Sequence, residues 1–148
     1  MENHQPHQKD LRKGRYSQTG QIYHVTTTTL FRAPIFLNFD SARCLVNILK
    51  KSDALQHSCT LAFVIMPDHF HWLFKLNEVV SLNGLMQSVK SSSAHAIGEA
   101  IWQKSYHDHA VRKEEDIQAI ARYIVANPVR AGLVKSVGHY PHWDAIWL

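Results

Sequence analysis

The chain has 148 residues, a length that suits one compact domain with a single sizeable core and leaves little room for two. Its 45% hydrophobic and 19% charged content excludes a disordered chain, a collagen-like repeat and a coiled coil, while a formal net charge of +4 favours a polyanionic partner. Cys44 and Cys59 sit in no paired-ligand spacing, no apolar run reaches the length of a membrane span, and MENHQPHQKD lacks a signal-peptide core, so a reduced, cytoplasmic protein is expected.

Residues 1–20 are polar, basic and interrupted by Pro6, Gly14 and Gly20, and they read as an arm that orders late or only against a partner. The run IYHVTTTTL, Ile22 to Leu30, is rich in β-branched residues whose stiff side chains suit a strand. From Phe39 to Ser52, Ala42, Leu45, Val46 and Leu49 recur at helical spacing, with Asn38 or Asp40 as N-cap. TLAFVIMP is apolar at nearly every position and stops at Pro67, which predicts a strand covered on both faces.

After a turn at Pro67 and Asp68, HFHWLFKL alternates: His69, His71, Leu73 and Lys75 share one face, and Phe70, Trp72, Phe74 and Leu76 share the other. Ser81 caps a predicted amphipathic helix with an apolar stripe of Leu82, Leu85, Met86, Val89, Ala96 and Ile97. IWQKSYHDHAVR has strand character with a break expected near His107 to His109. Glu114, Glu115 and Asp116 favour the start of a last helix, whose core stripe is Ile117, Ile120, Ala121 and Ile124 and which Pro128 ends near Asn127. Strand, helix, strand, strand, helix, strand and a final helix predict an α+β, ferredoxin-like antiparallel sheet with helices on both faces. Tyr140, Trp143 and Trp147 are expected to close over the core.

Two constellations can do chemistry. His69 and His71, alternate residues of one strand, bring two imidazoles to one side about 7 Å apart along the backbone. The bland alternative is a pair of satisfied histidines in a chain that holds eleven. Tyr123 and Asn127 lie four apart on the last helix, hence on one side of it, flanking the isoleucine stripe. There the bland alternative is a half-buried tyrosine and a C-capping asparagine before proline. Two neutral imidazoles and an amide oxygen leave positions on a divalent ion for phosphate oxygens and water. A neutral phenol is a weak nucleophile and needs a nearby cation or base to shed its proton, a part open to Lys90 or the metal itself. Tyr106, beside His107, Asp108 and His109, forms a further cluster read as structural or DNA-facing, with a catalytic part, Tyr106 in place of Tyr123, as the alternative.

MPDHFHW, WQKSYHDHAVR and YIVANPVRAGLV, in that order, resemble the REP-associated tyrosine transposases of the HUH single-tyrosine superfamily, and the resemblance runs from about Gly14 to Trp143. It implies one catalytic domain over residues 21–148, preceded by the basic arm of residues 1–20. It places His69-Phe70-His71 at the HUH motif, Tyr123 at the nucleophile and Asn127 at the position that completes a Mg2+ or Mn2+ site, where many other single-tyrosine transposases have Gln. The implied reaction is transesterification of single-stranded DNA beside hairpins of repetitive extragenic palindromes: the tyrosine forms a 5′-phosphotyrosyl link and frees a 3′-hydroxyl. Arg12, Lys13 and Arg15 would hold phosphates or guide bases, and Lys90, Lys104, Arg112 and Arg130 would line the strand's path. Monomer and homodimer both remain open. The rival functions are a hairpin-binding module that does not cut and a metal phosphoesterase that activates water; both would tolerate Tyr123→Phe.

Overall fold

The computed structural model describes residues 20–77 and 80–146, apart from the side chains at 114 and 115. β1 (Ile22–Thr28), β2 (Ser58–Met66), β3 (His69–Leu76), β4 (His107–Val111) and β5 (Trp143–Ala145) form a five-stranded sheet in the order β4-β1-β3-β2-β5. All neighbouring pairs are antiparallel. The first four strands carry the expected ferredoxin-like order. The fifth extends the edge beside β2.

α1 (Phe39–Ala54) and α2 (Leu82–Ile97) start where their caps dictate. Of the two candidates it is Asn38 that caps α1, its Oδ1 accepting from the Ser41 N–H at 2.9 Å. Ser81 does the same for α2 through Gly84, and the helix stops at Gly98, whose φ of 95° is costly for any residue with a Cβ. Each cap stabilises its helix by about 1 kcal/mol.

Alternation along β3 divides the core. Phe70, Trp72, Phe74 and Leu76 pack with Tyr23, Val25, Phe63 and Ile65 beneath the apolar faces of α1 and α2. Leu73 faces the other way and joins Ala62, Val64 and Met66 beneath Ile117, Ala121, Ile124 and Val125 of α3 (Glu114–Val125). Helices therefore cover both faces, as the nearly continuous apolar run of β2 requires. The buried indole of Trp72 keeps its hydrogen bond by donating to Thr60 Oγ1 at 2.9 Å. Thr60 Oγ1 in turn donates to Asp53 at 3.0 Å, tying the end of α1 to β2.

Three local expectations need correction. β1 ends at Thr28, and Leu30 already belongs to a 3-10 turn. In IWQKSYHDHAVR the regular strand begins at His107, where a break was expected. Upstream, Ile101 and Trp102 are buried side chains of the α2 layer: Trp102 makes one isolated bridge to Thr29 and donates its indole N–H to Ser93 at 2.8 Å. Burial of bulky residues under a helix mimics the composition of a strand. Finally, Pro128 begins as well as ends: the short α4 (Asn127–Arg130) follows α3 at once, with Pro128 in its first turn, where its missing N–H costs nothing. Tyr140 closes over the sheet as expected, donating its hydroxyl to the Ile65 carbonyl at 2.6 Å. Trp147 lies outside the described residues.

Candidate active site

His69 and His71 open β3 directly after the Pro67-Asp68 turn and point to the α3 side of the sheet. In register, His69 faces Thr28 and Met66, and His71 faces Thr26 and Val64. Their ring centroids are 5.2 Å apart with planes at 83°. His69 is partly exposed at the strand's start, whereas His71 is buried.

Each imidazole has its Nδ1 engaged. His69 Nδ1 lies 2.8 Å from Asp68 Oδ1, and a carboxylate there accepts, so in the neutral imidazole the proton sits on Nδ1 and the lone pair on Nε2. His71 Nδ1 lies 3.0 Å from His24 Nε2 and 3.1 Å from Thr26 Oγ1. Burial, with the neighbouring His24, His69 and Arg130 charges, pushes the His71 pKa down to about 3. Burial and the charge of His109 push that of His24 down to about 4. Both are neutral at neutral pH, the state a metal ligand requires.

The donor set fits a divalent ion. Two imidazoles stand side by side on one strand, with both Nδ1 atoms held by outer partners that fix ring orientation, as imidazole ligands of metals have. Among the described residues no cluster of three His, Cys, Asp or Glu side chains is arranged for a metal, so the protein's third donor would be the neutral amide of Asn127. Asn127 Nδ2 is turned back to the Ile124 carbonyl at 3.2 Å, which leaves Oδ1 as its acceptor. Two imidazoles and an amide leave the net charge of the ion intact for an anionic substrate.

Tyr123 projects from α3 beside this pair. Its ring is 6.3 Å from that of His71, edge to face at 88°, and 53% of the residue is exposed. The helix packs by Ile117, Ala121 and Ile124, so its tyrosine remains at the border of the core, as the helical wheel predicts. Arg130 reaches back from α4. Its guanidinium carbon lies 3.9 Å from the tyrosine ring centroid, and Nη2 donates to the Tyr123 carbonyl at 2.9 Å. One cation thus lies over the phenol and near the histidines.

The other predicted contacts scatter. Arg112 is exposed just past β4, and Lys104 is exposed before it. Lys90 belongs to α2, across the sheet from Tyr123, and its ammonium donates to the carbonyls of Gln103 and Lys104 at 2.6 and 3.1 Å. It braces that loop and is not placed to take a proton from the phenol. Arg12, Lys13 and Arg15 lie outside the described residues. In the HDH segment, His107 and His109 face the α3 side opposite Thr26 and His24, while Asp108 is buried.

His24, Thr26, Asp68 and Arg32 escaped the sequence reading. Positions 24 and 26 share a strand face, which the alternation rule can give; that this face meets His71 depends on the pairing of β1 with β3. Arg32 binds Asp68 through Nε at 3.1 Å, behind His69.

Comparison with known proteins bears on the fold and the family. A family model described as IS200-like transposase matches residues 17–127. A REP-associated tyrosine transposase of Escherichia coli K12 is 34% identical over 82 residues, which cover 54% of this chain and 50% of the relative. The match thus spans half the length of that relative. The solved structure of a REP-associated tyrosine transposase bound to a REP hairpin superposes with a TM-score of 0.75 at 27% identity, over 87% of this chain and 79% of the other. The family model spans most of the chain, so the chain belongs to the IS200-like transposases, and it is similar to REP-associated tyrosine transposases in sequence and fold.

Proposed function

We propose that this protein is a metal-dependent endonuclease and transposase that cuts and rejoins single-stranded DNA at repeat hairpins through a 5′-phosphotyrosine intermediate. The observation that carries the reading is the edge-on approach of Tyr123 to His71, with the Nδ1 atoms of both histidines occupied and their Nε2 atoms available. Residues 21–148 would act as one catalytic domain and residues 1–20 as a basic arm, in the cytoplasm.

The Tyr123 oxygen attacks the scissile phosphorus, the bond to the 3′ oxygen breaks, and the DNA 5′ end stays on the enzyme. The phenol gives up its proton and the departing 3′ oxygen gains one, so no water is consumed and the bond energy is kept for rejoining. His69, His71 and Asn127 would hold Mg2+ or Mn2+, which when bound draws charge from a phosphate oxygen. Arg130 holds Tyr123 from its face and main chain, and its positive charge favours an approaching phosphate. Arg112, Lys104 and the arm residues Arg12, Lys13 and Arg15 would track the backbone. Lys90 would shape the loop at Lys104.

The test is incubation with Mg2+ or Mn2+ and labelled hairpin DNA from repeats flanking the gene, resolved on denaturing gels beside Tyr123→Phe and His69→Ala. A metal-dependent covalent band absent from both variants is expected. Cleavage that persists in Tyr123→Phe without an adduct would point to a phosphoesterase, and binding without a cut to a hairpin-binding module.

A further inference from the structure

The segment after β1 has a costly backbone. Phe31 and Arg32 both adopt left-handed conformations, with φ of 57° and 53°. A bulky side chain there is strained, and glycine or asparagine would fit with less cost. The segment is nevertheless firmly held: Thr29 N–H donates to the Asp68 carbonyl at 2.9 Å, Leu30 N–H to the Ile101 carbonyl at 2.8 Å, and Thr29 Oγ1 to the Ala33 carbonyl at 2.8 Å.

The two residues point to different ends. Arg32 is aimed at Asp68, the carboxylate that holds His69. Phe31 is 91% exposed and takes no part in either hydrophobic cluster. Folding gains nothing from an aromatic ring in this position, and strain maintained without a packing return is found where a ligand supplies the return. The place matters too: Thr28, three residues before Phe31, is the register partner of His69. A hydrogen-bonded loop thus presents a bare aromatic ring three residues from the strand partner of His69, next in sequence to the arginine that binds Asp68.

We propose that Phe31 is a stacking platform for an unpaired nucleobase of the DNA strand that enters the site, with Arg32 fixing the loop to the HUH motif through Asp68. The site rests on the DNA reading above. Its chemistry is that of single-strand binders, in which an aromatic face accepts a base of any sequence while cations follow the phosphates. A loop already fixed by hydrogen bonds suits it, because little further ordering is needed on binding.

The experiment measures affinity, without cleavage, for a REP hairpin carrying a single-stranded flank and for the same hairpin without one, in wild type, Phe31→Gly and Phe31→Trp. Glycine accepts a φ of 57°, so Phe31→Gly keeps its melting temperature while losing the ring. It is expected to bind the flanked hairpin on the order of ten-fold more weakly and the unflanked hairpin unchanged, with Phe31→Trp close to wild type. 2-Aminopurine walked along the flank should be quenched at one position in wild type and not in Phe31→Gly. Equal affinities of wild type and Phe31→Gly, or no quenching at any position, would overturn the stacking site and leave the nuclease reading standing. Failure of the wild type to bind either hairpin would overturn both.

Discussion

If His71 gives its Nε2 to a metal, its Nδ1 must carry the proton, and among the described residues the acceptors for that proton are His24 Nε2 at 3.0 Å and Thr26 Oγ1 at 3.1 Å. His24→Phe keeps a ring of similar shape and removes one acceptor. Because the threonine hydroxyl can still accept, the loss of Mn2+ affinity should fall at the lower end of the effect of such outer partners, about ten-fold, or about 1.4 kcal/mol. Adding Thr26→Val leaves a buried N–H without a partner, which costs about 1–3 kcal/mol more and brings the loss to about a hundred-fold. The assay is the electron paramagnetic resonance signal of free Mn2+ titrated with protein and hairpin DNA, with melting curves to verify that each variant is folded. A folded double variant that binds Mn2+ as tightly as wild type would refute the assignment of His71 Nε2 as a ligand.

Three further outcomes follow from other contacts. Arg130→Ala removes the stack on Tyr123 and the bond to its carbonyl; it should lower stability by about 0.5–1 kcal/mol and reduce adduct formation, whereas equal adduct yields would separate Arg130 from the tyrosine. Ile124→Ala, at a fully buried position of α3, should cost about 2–5 kcal/mol in urea unfolding, and a cost below about 1 kcal/mol would contradict its place in the core. His24 and His71 have folded pKa values of about 4 and about 3, below the unfolded value, so at pH 7 both states are neutral and nothing is lost. As pH falls below about 6.5 the unfolded chain takes up protons first, and stability drops toward the folded values by at most about 1.4 kcal/mol per pH unit per histidine. A His24→Asn, His71→Asn double variant should lose less between pH 7 and 5 than wild type; an equal loss would assign the acid sensitivity elsewhere.

The layered fold was legible because its signals are local. Alternation in HFHWLFKL placed both histidines on one face and four core residues on the other, and Ser81 and Asn38 marked helix starts through their own hydrogen bonds. Tyr123 and Asn127 were singled out by their four-residue spacing and by the family's motif order, and the structure sets them on successive helices, α3 and α4. His24 and Thr26 were not, because their part depends on the antiparallel register of strands nearly fifty residues apart, Thr26 against His71. Trp102 misled for the opposite reason: its burial comes from α2, and its aromatic character looks the same in a strand or in a loop beneath a helix. The three-residue β5 carries too few alternations to register as a strand at all.

The two faces of the sheet are unequally fastened. α1 and α2 share the larger cluster with Tyr23, Phe70, Trp72 and Phe74, while α3 rests on small and medium side chains, Ala62, Val64, Met66 and Leu73. Local opening follows the poorer layer, so amide protons of α3 should exchange with solvent before those of α1 and β3. Tyr123 would then belong to a separate cooperative unit from His69 and His71. On the proposed reading, a DNA end joined to Tyr123 would ride on the more loosely fastened helix, while the sheet that carries His69 and His71 keeps its packing against α1 and α2.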